Sequence, residues 1–566
     1  MSKSKRYTYN CPAYDTMRDL VLQSAALYGE KIVFSWRENP LRSEKTSVSF
    51  LQFESDVKAL GTEMINRGMK GRHIALVGKL SYGWILTYFA SLSIGSVLVT
   101  IDPEWTAEDL AQTINRADVS FLICDHAIEG KMQTITENNH IESIVYTEKG
   151  EDENVFRFIE AGHEKVMQGD CSFMEAEIDP KALALLVFTS GTTGQGKGVM
   201  LSQSCILKDV SSGMSVGTLG PKQIGFLPPY HTFGSTCGLL APVSLGSELY
   251  LSAGLKYVAK ELAAETPDTL LLVPLFLETF AHKIKSAIKE KGKEKLVATM
   301  MKVSNGLRKI GIDLTDKLFA SILTVFGGKL KVIVTGGAPL SPDVQYLFSS
   351  LGITVMNGYG ITECSPLVSV NPNHYIVPGT VGQIIPCNTV KIENPNENGE
   401  GEICIKGDNV MMGYYKNEEA TKEAIDEDGY FHTGDIGKIH EKSGFLMITG
   451  RIKNIIILSN GKNVYPEEIE LELSSIPGVH EVIVYEGQSR LGVDHNRIVA
   501  EFYIPEEYLT ANGITDAHAY LVPLVEQFNK TTVPYKKIGL IRVRPEPFVK
   551  NTLRKIVRFK IDKTID

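Results

Sequence analysis

No two cysteines in this sequence stand in C-x-x-C spacing. The eight (Cys11, Cys124, Cys171, Cys205, Cys237, Cys364, Cys387 and Cys404) are scattered. Neither zinc-ribbon spacing nor a disulfide framework is visible, which favours a reducing compartment, the cytoplasm. Basic excess is missing too. With 58 Lys+Arg against 67 Asp+Glu, the net charge of −9 argues against a nucleic-acid partner. The N-terminal MSKSKRYTYN carries charge with no apolar run behind it, so an ordinary signal peptide is not expected. Internal repeats and low-complexity tracts are also missing. One uncharged run, 80–101, approaches membrane-spanning length. Hydroxyl residues, glycines and tyrosines interrupt it and Asp102-Pro103 ends it. A buried helix, a turn at Gly95 and a strand over 96–101 fit better.

What is present is a soluble globular composition, 43% hydrophobic and 22% charged over 566 residues. That length exceeds one hydrophobic core, so two to four domains are expected. Short β-rich runs at 74–77, 97–101, 121–124 and 144–146 alternate with helical stretches, the pattern of α/β layers. The run 183–188 reads as another buried strand and leads into FTSGTTGQGKG, residues 188–198. Glycines there let the backbone turn tightly. Exposed N–H groups, hydroxyls and Lys197 together suit a polyphosphate. The spacing Gly191-x4-Gly196-Lys197 nearly spells a nucleotide-hydrolase loop, but Gly198 stands where Ser or Thr would hold Mg²⁺. A plain surface turn is the competing reading.

Further along, 201–210 reads as a helix and PPYHTFG (228–234) as a turn whose His231 is either packing or chemistry. Residues 276–326 are helical, with Lys283, Lys285, Lys289, Lys291, Lys293 and Lys295 forming a solvated face or attracting an anionic membrane. The strand 330–335 ends at Gly336-Gly337, and Ser341-Pro342-Asp343 starts a helix with Ser341 as N-cap. The strand 354–356 precedes a turn, NGYGITE (357–363). Glycine-rich turns at strand ends are where α/β folds bind ligands, so these two turns are expected to meet at one site. Beyond 381, runs at 390–393, 401–406 and 445–448 suggest a small β-rich subdomain with HTGD (432–435) and Gly450-Arg451 at its turns. After Lys453, strands at 482–485, 498–503 and 539–543 and a helix at 517–529 make a separate α+β domain.

Five blocks standing in this order resemble the adenylate-forming superfamily, which includes acyl-CoA synthetases, peptide-synthetase adenylation domains and luciferases. They are FTSGTTGQGKG, PPYHTFG, GGAPL with NGYGITE, YFHTGD with GRIKNIIILSNGKNVYPEEIE, and VKNTLRKIVR, running from about Leu183 to Arg558. The resemblance implies a large multi-layer α/β domain over 1–450 with a β-rich subdomain, a hinge at 451–453 and a mobile α+β lid over 454–566. It also implies a reaction: ATP and a carboxylic acid give an acyl-adenylate and pyrophosphate, and a thiol, usually coenzyme A, then displaces AMP.

Position by position, the resemblance implies that Thr189, Ser190, Gly191, Thr192, Thr193, Gly194 and Lys197 cradle the β- and γ-phosphates. Glu363 would hold Mg²⁺, and Thr362 would contact the α-phosphate. Gly337, Ala338, Asn357, Gly358 and Tyr359 would line the adenine pocket. Asp435 would accept from both ribose hydroxyls beside Arg451. Lys555 would bridge the substrate carboxylate and the α-phosphate, Lys453 would be the hinge, His231 would stand at the mouth of the acyl pocket, and Gly461 would line the pantetheine route. Three positions depart from the pattern. Gly196 replaces a usual proline and implies a looser loop, Arg554 replaces a glycine before the catalytic lysine, and Ile457 stands where some luciferase-like members carry lysine. The segment 283–328 resembles long-chain fatty acyl-CoA synthetases, implying a medium-to-long fatty acid. Two alternatives stand beside coenzyme A ligation: loading of a separate acyl carrier protein, and a non-catalytic nucleotide-binding relative. Peripheral membrane contact is the expectation attached to the lysine-rich helices.

Overall fold

Parallel strands joined by helices build two large sheets, as the alternating pattern leads one to expect. A computed structural model describes residues 9–189, 196–254, 256–458, 463–489, 497–550 and 556–565. In one sheet, Ser143–Tyr146, Phe121–Cys124, His73–Val77, Val97–Ile101 and Leu183–Phe188 lie side by side and parallel. Two antiparallel strands, Gly198–Ser202 and Gly413–Tyr414, complete that edge. The other sheet has a parallel body of Ile32–Trp36, Glu248–Leu251, Lys222–Gly225, Thr269–Leu272, Val332–Gly336 and Thr354–Gly360.

The uncharged run 80–101 is the expected helix, turn and strand. Every residue of the helix Tyr82–Ser93 is buried, with Trp84, Tyr88 and Phe89 among the largest side chains of the core. Gly95 turns the chain at φ +77 into the strand Val97–Ile101. Among the described residues no helix is long and apolar enough to cross a membrane.

Downstream, Asn388–Glu393, Gly401–Gly407, Phe431–Ile439 and Leu446–Arg451 form a four-stranded antiparallel sheet. A short helical turn, Ile452–Asn454, follows. The last sheet, Glu481–Gly487, Arg497–Tyr503 and Leu540–Arg544, packs with the helices Pro466–Leu473 and Ala517–Thr531. Its apolar cluster, including Ile469, Leu473, Val484, Phe502, Leu521 and Val525, draws only on residues beyond the 452–454 turn.

Four local expectations change. The helix expected over 201–210 is Gln203–Val216, because Gly198–Ser202 pairs as a strand with Leu183–Phe188. Ser202 sets the boundary: its hydroxyl accepts from the Cys205 amide and caps the helix. The NGYG residues continue the strand Thr354–Gly360 instead of turning, since Gly358 pairs with Gly336 on one side and Val370 on the other. HTGD lies within the strand Phe431–Ile439, where Cys404 faces His432 and Gly450 faces Ile436. Ser341 does occupy the N-cap position before Pro342–Ser350, but its side chain makes no capping bond.

Candidate active site

The phosphate-loop motif is the connection of a hairpin. Leu183–Phe188 and Gly198–Ser202 bring Thr189 and Lys197 together, with the Thr189 amide donating to the Lys197 carbonyl at 3.1 Å. Ser190, Gly191, Thr192, Thr193 and Gly194 lie outside the described residues. The loop expected to be loosened by Gly196 lies outside the described residues, and what is described is the close packing at its base. A Cβ at Gly196 would stand 2.1 Å from the Thr189 carbonyl oxygen, so the hairpin base is tight where a side chain would be. Arg116 Nη2 donates to the Gly196 carbonyl at 2.8 Å while its guanidinium lies over the Phe188 ring. Arg116 sits on the helix Ala107–Arg116, and nothing in the motif spacing signals that contact.

Lys197 leads directly to Glu363 through a residue absent from the sequence expectations. Its Nζ lies 4.5 Å from the centroid of the Tyr414 ring, a cation–π contact, and the Tyr414 hydroxyl donates to Glu363 Oε1 at 2.9 Å. The short strand Gly413–Tyr414 makes this possible by pairing Tyr414 with Val199, two residues beyond Lys197. Burial and the adjacent Glu363 carboxylate push the Tyr414 phenol well above its usual range, so it stays a donor. Thr362 and Glu363 lie in the helical turn Thr362–Cys364. Asn409 Nδ2 fastens that turn by donating to the carbonyls of Cys364 at 2.9 Å and Leu367 at 2.8 Å. The same amide donates to the buried Asp209 carboxylate at 2.8 Å.

A second constellation forms around Asp435, which is only 2% exposed. Tyr359 donates its hydroxyl to Asp435 Oδ2 at 2.6 Å, and Arg451 Nε meets Oδ1 at 2.7 Å. Cross-strand pairing sets Arg451 opposite Asp435. Asp435's negative charge raises the Arg451 pKa further, while burial followed by Asp435's charge raises that of Tyr359. Both oxygens of Asp435 are thereby aimed by partners from different parts of the chain.

Tyr359 and Gly337 also line an apolar, partly open cavity. Its walls come from the C-terminal ends of the central parallel strands (Leu271, Thr335, Met356) and from Phe233 and Cys237. The two glycine-rich segments therefore meet, as expected, at the strand ends where α/β sheets take ligands. Gly358 is in the lining and Gly337 turns at φ +81, while Ala338, one residue on, is exposed. Asn357 lies next to that lining. Its amide group donates to the Thr380 carbonyl, and its buried Oδ1 has no hydrogen-bond partner among the described residues.

His231 precedes a π-helical segment, Phe233–Leu240, accepts the Ser235 amide on its carbonyl, and packs its ring 4.9 Å from that of Tyr230. A π-helical turn bulges the backbone and often marks a functional site. Here it brings Phe233 and Cys237 to the cavity wall. Lys453 is exposed in the turn Ile452–Asn454. Gly461, Arg554 and Lys555 lie outside the described residues, as does the side chain of Ile457.

Comparison with known proteins agrees with this geometry. A family model described as AMP-binding enzyme matches residues 21–415. The chain is 30% identical over 475 residues to Long-chain-fatty-acid--CoA ligase 5 of Rattus norvegicus, a match covering 77% of this chain and 69% of that protein. It is 28% identical over 469 residues to Long-chain-fatty-acid--CoA ligase FadD15 of Mycobacterium tuberculosis, covering 78% and 75%. Among solved structures, that of the anthranilate CoA ligase AuaEII in complex with anthranoyl-AMP superposes with a TM-score of 0.77 at 18% identity, covering 97% of each chain, a likeness of fold. With a family match spanning most of its length, and a relative of 30% identity covered over two thirds, this chain belongs to the AMP-binding enzyme family.

Proposed function

We propose that this protein is an AMP-forming acid–thiol ligase that activates a medium-to-long-chain fatty acid and transfers it to coenzyme A. The single observation that carries the reading is the apolar cavity whose wall residue Tyr359 hands its hydroxyl to the buried Asp435. The names of the curated relatives favour the same acid and the same thiol over a carrier protein.

The chemistry follows from charge. A carboxylate oxygen attacks the α-phosphorus of ATP, the bond to the bridging oxygen breaks, and pyrophosphate leaves with the electron pair. Two anions must approach, so positioning and charge stabilisation dominate. Lys197 and the loop 189–194 cradle the departing pyrophosphate, Thr362 contacts the α-phosphate, and Lys555 bridges the two reacting anions. Glu363, a hard oxygen ligand with one oxygen already oriented by Tyr414, suits Mg²⁺, which when bound neutralises phosphate charge. Asp435 receives the ribose hydroxyls, and the unpartnered Asn357 Oδ1 is an acceptor for the adenine amino group. In the second step the thiol sulfur attacks the acyl carbon, AMP departs with the carbon–oxygen electrons, and the thiol proton passes to water. Rotation of a lid, residues 454–566, about Lys453 would exchange the two steps, with Gly461 beside the pantetheine arm. His231 stands at the acyl entrance.

A panel of carboxylic acids scored for pyrophosphate release, with and without coenzyme A, tests the assignment. Highest turnover with acetate or benzoate would overturn the fatty-acid reading, and transfer to a carrier-protein thiol in preference to coenzyme A would overturn the acceptor. Lys555→Ala should depress adenylation far more than thioester formation from supplied acyl-AMP. Peripheral membrane contact is supported by Leu296 (56% exposed), Val303 (53%) and Ile310 (71%), which recur at heptad spacing among lysines. Co-sedimentation with anionic vesicles, lost on Val303→Glu, tests it.

A further inference from the structure

One cluster of ligating side chains takes no part in the reaction described above. Glu402 and Cys404 project from one face of Gly401–Gly407, two residues apart along the strand. His432, directly across from Cys404 on Phe431–Ile439, projects from the same face. Opposite the step from Glu402 to Cys404, the partner strand advances four residues, from Ile436 to His432, so the register irregularity lies on the strand that carries His432. His432 Nδ1 lies 3.0 Å from Glu402 Oε2 and 3.5 Å from Cys404 Sγ, and the three donor atoms all fall within 4.8 Å of one another.

The nitrogen–sulfur separation is that of an edge of a metal tetrahedron, and the nitrogen–oxygen pair opens by ~0.4 Å to reach one. Zinc bonds of ~2.1 Å to nitrogen and oxygen and ~2.3 Å to sulfur place tetrahedral N and S ligands ~3.5 Å apart, and N and O ligands ~3.4 Å apart. The other imidazole nitrogen, Nε2, faces Asp426 Oδ2 at 3.4 Å. A carboxylate behind a ligating histidine fixes the ring and its tautomer, the usual outer support of a metal-bound imidazole. The second oxygen of Glu402 accepts the Gly434 amide at 3.0 Å, which anchors that carboxylate as well. His432 is 30% exposed, leaving a fourth position open to water.

We propose that Glu402, Cys404 and His432 form a binding site for a borderline divalent transition metal of the zinc class, with Asp426 orienting His432. Thiolate and imidazole select such an ion over Mg²⁺. The site is separate from Glu363 and braces the strand that carries Asp435.

Cobalt provides a direct readout in the full-length, chelator-treated and reduced protein. One equivalent of Co²⁺ should produce a thiolate-to-cobalt charge-transfer band with tetrahedral d–d absorption. Cys404→Ser should abolish the charge-transfer band, and His432→Gln should weaken binding at least tenfold. Asp426→Asn, a change at a partly exposed side chain, should keep the band but lower affinity about 10- to 100-fold, which covers the case in which Cys404→Ser does not fold. Absence of a stoichiometric band, its persistence in Cys404→Ser, or unchanged affinity in Asp426→Asn would each overturn the assignment.

Discussion

Replacing Tyr414 by phenylalanine isolates one hydrogen bond at the centre of the site. The ring stays under Lys197, so the cation–π contact at 4.5 Å is kept, while the hydroxyl that donates to Glu363 Oε1 at 2.9 Å is removed. A hydrogen bond to a charged group contributes about 1.5–3 kcal/mol, roughly a 10- to 150-fold effect. The outer partner of a metal-ligating carboxylate typically changes metal affinity about 10- to 100-fold. Both routes lead to the same expectation: the Mg²⁺ concentration for half-maximal pyrophosphate release rises at least tenfold in Tyr414→Phe. At saturating Mg²⁺ much of the turnover should return, because Glu363 and Lys197 are still present. Tyr414→Ala also removes the ring and should not be rescued by Mg²⁺. The assay is acid-dependent pyrophosphate release across a Mg²⁺ titration at fixed ATP. Identical Mg²⁺ curves for wild type and Tyr414→Phe would refute the view that this hydroxyl orients the metal carboxylate.

Three further perturbations follow from the same geometry. Tyr359→Phe takes the 2.6 Å donor from the buried Asp435, and the loss of about 1.5–3 kcal/mol should appear as a raised KM for ATP, with the KM for the acid little changed. Gly196→Ala drives a Cβ into the Thr189 carbonyl 2.1 Å away, an overpacking cost of about 1–3 kcal/mol, so the KM for ATP should rise; Gly196→Pro adds the same atom and should not behave better. Glu278 is pushed up to about 7, mainly by burial, with His480 and Lys550 partly offsetting that rise. Because the folded state binds this proton more tightly than the unfolded one, stability falls as pH rises from about 4.5 through about 7 and is level above. Glu278→Gln should therefore raise Tm at pH 8 and have little effect near pH 4.5, with a ceiling of about 3 kcal/mol. An equal shift at both pH values in differential scanning fluorimetry would contradict that assignment.

The sequence by itself located the parallel strands of the first sheet and two of the second, 330–335 and 354–356, and it identified 80–101 as a buried helix and strand, whereas the strands Ile32–Trp36, Lys222–Gly225, Glu248–Leu251 and Thr269–Leu272 were not read from it. Hydrophobic periodicity carries this information because burial on a face is a local pattern. The glycine-rich motif itself pointed to Lys197, while Glu363, Tyr359 and Asp435 were implied by the resemblance of the five ordered blocks to the adenylate-forming superfamily. Sequence misjudged elements whose state depends on a distant partner: Gly198–Ser202 became a strand through pairing with 183–188, and HTGD through pairing with 401–407 and 446–451. The space beside Gly196 is filled by the Thr189 carbonyl, a close approach that the sequence does not reveal. Tertiary structure alone decided which side chains aim the two carboxylates. Tyr414 reaches Glu363 across 51 residues, and Tyr359 reaches Asp435 across 76. No periodicity spans such distances, because those contacts are set by strand order and register.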